Sequence, residues 1–257
     1  MNKYISFSGG VESSAMCVLF GKDADAIFSD AGWEHEEIYK RIDLVERRVR
    51  EIYGNDFKVH KIKAKAKHKG VYYDNLPDYI KATKYYPSPL ARFCTRLFKI
   101  EPIDNFLKDD GDVELMIGLN ADETDRTGNH GLLTNVKYSY PLIDANINRQ
   151  GCLTVLKHAG LTPTFPPYMR RGGCIGCFYK SKKEFYAMAQ LKPDEFKEVE
   201  DIEKVIQDKR GKFYAIRKEG ETMESLRHFA ESSMFKPEEL YNDFDLPETP
   251  CGVFCNR

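Results

Sequence analysis

The chain has 257 residues, 42% of them apolar, and a formal net charge of −1. That is enough for one domain, or one domain with an appendage, and too little charge for a global field that favours nucleic acid or membrane. No apolar run is long enough to span a bilayer, and Gly9 and Gly10 interrupt any signal-peptide layout, so the expected location is the cytosol.

In chain order, residues 3–7 are predicted to form a short buried strand, 13–20 a helix ending near Gly21, and 25–30 a second strand. Residues 34–54 carry the clearest helical signal: Ile38, Ile42, Val45, Val49 and Ile52 recur at helical spacing before Gly54. A third strand is predicted at 57–64, and 112–120 has the apolar density of a fully buried fourth. Strands alternating with helices imply a mostly parallel α/β sheet whose ligands lie at the carboxyl ends of the strands. From about residue 165 the chain turns rich in Pro and Gly and then helical, with a capping box at Ser181 and Glu184. The expected division is therefore 1–165 and 166–257.

Ser8-Gly9-Gly10 follows the first strand and opens a helix. Glycines there free the backbone to turn its N–H groups inward, the helix N-terminus adds its dipole, and Ser8, Ser13 and Ser14 add hydroxyls. The result is a candidate anion cradle. Its spacing is neither a Walker A loop nor a dinucleotide fingerprint. A plain strand-to-helix turn is the bland alternative.

The seven cysteines are Cys17, Cys94, Cys152, Cys174, Cys177, Cys251 and Cys255. An odd count in a cytosolic chain argues against a disulfide framework and for metal or thiol chemistry in any cluster. Cys174-x-x-Cys177, behind Gly172 and Gly173, has the spacing at which two thiolates reach one metal. Cys94, Cys251 and Cys255 are the candidates for the remaining ligands. Two sets remain open: Cys94, Cys174, Cys177 with a tail cysteine, Cys251 favoured; or Cys174, Cys177, Cys251 and Cys255. Zinc and iron–sulfur both suit such donors. Cys17 and Cys152 read as core residues. Residues 58–70 hold six lysines and two histidines and no acid. They are either a nucleic-acid contact or a protected edge strand, and Tyr72-Tyr73 and Tyr85-Tyr86 are candidate base-stacking pairs.

The loop SGGVESS resembles the PP-loop of N-type ATP pyrophosphatases and of the sulfonucleotide (PAPS and APS) reductases, with Glu12 where that family usually has Asp. FSDAGWEHEEIYKRI, CTRLFKIEPIDNFL, GLNADETDR and YPLIDANINRQGCLTVLKHAGL are similar, in order, to further stretches of the reductase branch. The resemblance implies a Rossmann-like parallel sheet with helices on both faces, and a mostly helical cysteine-containing C-terminal subdomain. It implies ATP or an adenylyl sulfate, with Mg²⁺, on Ser8, Gly9, Gly10, Val11, Glu12, Ser13 and Ser14, near Asp30, Gly32 and Gly118. Lys99 and Arg126 are the implied charge partners for phosphate or sulfate, and a 4Fe–4S cluster or a zinc ion is implied at the cysteines. A pairing of two chains is also in keeping with the resemblance. The tail PCGVFC keeps Cys251-Gly252 of the reductase ending but replaces its flanking Glu and His with Pro250 and Cys255. The first expectation is therefore ATP-dependent sulfur transfer to a nucleic acid or nucleotide, with a sulfur donor. A true sulfonucleotide reductase, with Cys251 as nucleophile and a thiol reductant, is the second. A metal-stabilised nucleotide-binding subunit without turnover is the third.

Overall fold

The computed structural model describes residues 1–54, 56–128, 133–170, 172–210, 213–217 and 220–232. The elements are β1 (Asn2–Ser6), α1 (Val11–Phe20), β2 (Asp25–Asp30), α2 (Glu36–Tyr53), β3 (Val59–Lys63), β4 (Ala66–His68), β5 (Val71–Tyr73) and α3 (Leu76–Thr83). There follow α4 (Phe93–Thr95), a π-helical turn (Arg96–Ile100), α5 (Glu101–Leu107), β6 (Val113–Met116), a 3₁₀ turn (Ala121–Arg126) and β7 (Val136–Ser139). The rest is helical: α6 (Pro141–Asp144), α7 (Arg149–His158), α8 (Lys182–Leu191), α9 (Pro193–Arg210) and α10 (Met223–Ser232).

The main sheet has the order β3-β2-β1-β6-β7, and every pairing in it is parallel. Strand order reverses between β1 and β6, so the crevice at their carboxyl ends is the topological switch point. Side chains alternate across β2: Ala26 and Phe28 join the apolar cluster that holds α1, α2 and α7, while Ile27 joins Ile103 and Leu107 of α5. Helices thus cover both faces, as expected of an α/β fold. The first cluster continues into Phe185 of α8, Phe196, Val199 and Ile202 of α9, and Leu226 of α10.

Local chemistry explains the element ends. Gly54 closes α2 at φ +59°, where a side chain would be strained. Ser181 and Glu184 cap α8 reciprocally. Buried Glu203 of α9 accepts the amides of Ile216 (2.8 Å) and Met223 (2.6 Å), tying the 213–223 segment to the helix. The fourth predicted strand is shorter than 112–120. β6 stops at Met116 because Gly118 must leave the sheet to approach α1, where a Cβ would lie 3.2 Å from the Ser13 amide nitrogen. Among the described residues no helix is long and apolar enough to cross a membrane.

The α2 stripe makes a direct prediction. Ile42 is fully buried, whereas Leu44 on the same helix is 38% exposed. Ile42→Ala should lower the unfolding free energy by about 2–5 kcal/mol, and Leu44→Ala should change it by less than about 0.5 kcal/mol. Urea denaturation of the two variants compares them directly.

Candidate functional site

A cavity lies at the β1/β6 crevice. Ser6, Ser8, Gly10, Glu12 and Ser13 line one wall, and Gly118, Glu123 and Arg126 line another. Arg92, Cys94, Lys99, Cys174 and Cys177 complete it, with Glu34 and Arg149.

The loop is held ready by its own hydroxyls. Ser13 Oγ accepts from the Ser8 amide and shares a hydrogen bond with Ser8 Oγ, both at 3.2 Å. The Ser6 hydroxyl, buried and lining the cavity, has no hydrogen-bond partner among the described residues. Gly9 sits at φ +75° with Ile38 against it, so this turn requires glycine. From behind, buried Arg41 donates Nε to the Gly9 carbonyl (3.0 Å) and its two terminal nitrogens to the Leu161 carbonyl (3.4 Å). Burial lowers its guanidinium pKa to about 10. Sequence reading passed over Arg41. The available signal was its place on the apolar stripe, three residues after Ile38.

Three of the cations that line the cavity face a carboxylate. Arg149 Nη1, at the start of α7, lies 2.5 Å from Glu12 Oε1. Arg126 is ion-paired with Glu123, whose other oxygen accepts the Asn120 amide at 3.2 Å. Lys99 Nζ is 3.8 Å from Glu34 Oε1. Arg149 was also missed from sequence, because its partner is 137 residues away.

Three of the five candidate cysteines line this cavity. Cys94 stands on α4, immediately before the π turn that carries Lys99. Cys174 and Cys177 stand on a knuckle docked against residues 33–34. Ile175 N donates to the Trp33 carbonyl at 2.8 Å, Cys174 pairs with Glu34 in an isolated antiparallel bridge, and Cys174 Sγ donates to Glu34 Oε1 at 3.3 Å. Burial pushes the Cys94 thiol up to about 11 and raises that of Cys174 well above the ordinary thiol range, with Glu34 adding to the latter; neighbouring thiols raise both further, while Lys99 lowers both. Cys251 and Cys255 lie outside the described residues. Among the described residues no three His, Cys, Asp or Glu side chains converge as metal ligands.

Other expected residues stand back from the cavity. Asp30 and Gly32 do not line it: Asp30 Oδ1 accepts the Gly32 amide (2.8 Å) and the Tyr39 hydroxyl (2.7 Å). Gly32, at φ +65°, has Asn75 where a Cβ would go. Val11 packs in the core, and the Ser14 hydroxyl is buried. Cys17 and Cys152 are buried core thiols, as expected, and burial pushes Cys152 up to about 12.

The phosphoadenosine phosphosulfate reductase domain model matches residues 2–146, more than half of the chain. The chain belongs to this reductase family. The matched span contains the glycine loop, Cys94, Lys99 and Arg126, and ends before Arg149 and the 174–177 knuckle. An uncharacterized protein of Methanocaldococcus jannaschii is 29% identical over 127 residues, which are 47% of this chain. The match spans only 23% of that relative's length. A crystal structure of phosphoadenylyl-sulfate reductase from Candida auris, in a phosphate complex, is similar over 63% of this chain and 74% of that one. Its identity is 19% and its TM-score 0.42.

Beneath the knuckle, fully buried His35 holds Glu195 of α9 through Nδ1 (2.6 Å) and Lys180 through Nε2 (3.0 Å). Lys180 also donates to the Tyr168 carbonyl at 2.7 Å. Burial lowers the His35 pKa, despite the opposing pull of Glu195. Folded protein therefore binds fewer protons than unfolded chain between the lowered value and about 6.5. Stability should fall as pH drops through about 6.5, by up to ~1.4 kcal/mol per pH unit. Denaturation midpoints of His35→Gln between pH 7 and 5 should lack that component.

The Glu12–Arg149 pair gives a second prediction. Arg149→Met leaves a nearly buried carboxylate unpaired and should destabilise by about 1–3 kcal/mol, discounted for the part-exposed arginine. Adding Glu12→Gln should restore most of that loss. A double-mutant cycle without coupling would remove the pair from the argument.

Proposed function

We propose that the cavity binds ATP or an adenylyl sulfate through residues 8–14, and that the chain is an enzyme transferring sulfur to a nucleic acid or nucleotide with the use of ATP. One observation carries this reading: the glycine loop and three thiols line the same cavity. The amides and hydroxyls of Ser8, Gly10 and Ser13 hold phosphate oxygens. Lys99, Arg126 and Arg149 offset the charge that develops as pyrophosphate leaves. A substrate oxygen attacks the α-phosphorus and the bond to pyrophosphate breaks. Sulfur at the oxidation level of sulfide, from a small-molecule or protein donor, then displaces AMP from the activated carbon, so no net redox change is needed.

Mg²⁺ commonly takes one or two carboxylates plus substrate phosphates, and Glu12 offers one such carboxylate once Arg149 turns to the phosphates. Cys94, Cys174 and Cys177 are soft donors on one wall, and Cys251 is the proposed fourth ligand of a 4Fe–4S cluster. With Cys251 as fourth ligand the cluster would be closed; held by the three described thiols alone, it would supply an open iron site for the incoming sulfur, and zinc on the same thiols would be structural. Family membership favours a second reading, sulfonucleotide reduction. There the Cys251 thiolate would attack the sulfur of the adenylyl sulfate, the S–O bond to the nucleotide would break, and a thiol reductant would release sulfite.

Anaerobically purified protein separates these readings. The first expects about four iron and four acid-labile sulfide per chain, lost in Cys174→Ser with Cys177→Ser, and pyrophosphate release from ATP with an acceptor present. Zinc at about one per chain would remove the cluster. Sulfite from an adenylyl sulfate without ATP use would establish the reductase. Turnover surviving Ser8→Ala with Gly10→Ala would remove the loop from either mechanism.

A further inference from the structure

Edge strand β3 and the β4–β5 hairpin carry an unusual pattern. Lys61, Lys63, Lys65 and Lys67 are exposed, while the residues between them, Ile62, Ala64 and Ala66, are half-buried or buried. Period-two alternation puts these lysines on one side of the extended chain, roughly 6.6 Å apart. That spacing is comparable to the step between phosphates of an extended single strand. Lys61 is held by Asp43 at 2.5 Å; Lys63 and Lys65 make no ion pair with a described residue. Lys69 follows in the hairpin turn at φ +47°.

Tyr72 extends the pattern. It is the register partner of Lys67 across the antiparallel hairpin, so the two share a face. Lys67 Nζ lies 5.3 Å from the centre of its ring, which is nevertheless 64% exposed. Edge protection accounts for one or two charges. It does not account for a lysine at every outward position over seven residues, nor for an exposed aromatic ring beside them.

The track leads to the cavity. Ala64 N donates to the Asp30 carbonyl at the carboxyl end of β2, and Leu76, which lines the cavity, donates to the Ala31 carbonyl.

We propose that the lysine row from Lys61 to Lys69, with Tyr72, is a docking track for single-stranded nucleic acid, laid so that the strand passes the cavity mouth. This deepens the sulfur-transfer reading and rests on it for its purpose, not for the binding itself. A single strand fits better than a duplex because one row of cations follows one backbone and the exposed ring stacks an unpaired base.

Fluorescence anisotropy of the full chain with labelled mixed-sequence oligonucleotides, single-stranded RNA and DNA and the matching duplexes, tests it. At least one single strand should bind, at least tenfold tighter than its duplex, with strong salt dependence. Lys63→Ala/Lys65→Ala/Lys67→Ala should reduce the slope of log K against log salt by about 2. Tyr72→Ala should weaken binding about tenfold at fixed salt. Both variants alter exposed positions, and an unchanged thermal midpoint confirms their folding. No strand binding, equal or tighter duplex binding, or a triple variant with wild-type affinity and slope would overturn the track. ATP binding measured on the same samples keeps the two readings apart. Strand binding without any pyrophosphate release faults the reaction and leaves the track standing, whereas intact ATP binding without strand binding faults the track alone.

Discussion

A close approach at Gly176 organises this molecule. A Cβ there would lie 2.1 Å from the Trp33 ring and 2.4 Å from the Tyr86 hydroxyl, which donates to the Gly176 carbonyl. No side chain fits, so the knuckle can press its backbone onto the loop after β2 and form the Ile175–Trp33 and Cys174–Glu34 contacts. Everything distinctive about the cavity depends on that docking. Without it the two thiols would stand away from the sheet, and the β1/β6 crevice would keep only its glycine loop. The C-terminal helices reinforce the same contact: Glu198 of α9 accepts the Trp33 indole N–H (2.8 Å) and Glu195 accepts from His35. The helical region thus acts on the site by fixing residues 33–35 from outside.

The second organising feature is charge balance inside a protein of almost no net charge. Three cations and three carboxylates face one another around the loop. Two unit charges 4 Å apart interact by about 4 kcal/mol at the effective dielectric of a protein surface region. A ligand with several negative charges on adjacent phosphates competes well with a single carboxylate for each cation. The pairs offset the charges of Lys99, Arg126 and Arg149 within the cavity, and on the proposed reading a phosphate would displace a carboxylate at each. The Ser6 hydroxyl, without a hydrogen-bond partner among the described residues, adds a further donor to the cavity wall.

Much of this was legible in the sequence, for reasons that were local. The strand, glycine turn and helix at 2–20 lie in one contiguous segment. The α2 stripe and its Gly54 stop, and the Ser181–Glu184 capping box, are each set by residues within a few positions. β7 escaped because VKYS is short and only half apolar; its strand character comes from pairing with β6. The β4–β5 hairpin escaped because its lysines obscure the apolar alternation. In the site, Gly118 was legible as a glycine at a strand end, but its packing reason, the Ser13 amide, was not. The Arg41 and Arg149 contacts join segments 32 to 137 residues apart, and no local pattern encodes such distances.

Glu12 shows how one methylene alters the logic of the loop. Relative to aspartate, glutamate moves the carboxylate outward by roughly 1.5 Å. Here that reach brings it to the arginine at the start of α7. The helix supplies the arginine at its first residue, with the Asn148 side chain capping the turn through the Gly151 amide (2.9 Å). A carboxylate committed to an arginine is not available to a metal ion until something else takes the arginine. Phosphate is the natural competitor, because it binds guanidinium with two parallel hydrogen bonds. On the proposed reading, a phosphate that took Arg149 would leave the Glu12 carboxylate available to a cation. The longer side chain therefore does more than preserve a negative charge: it commits that charge to Arg149.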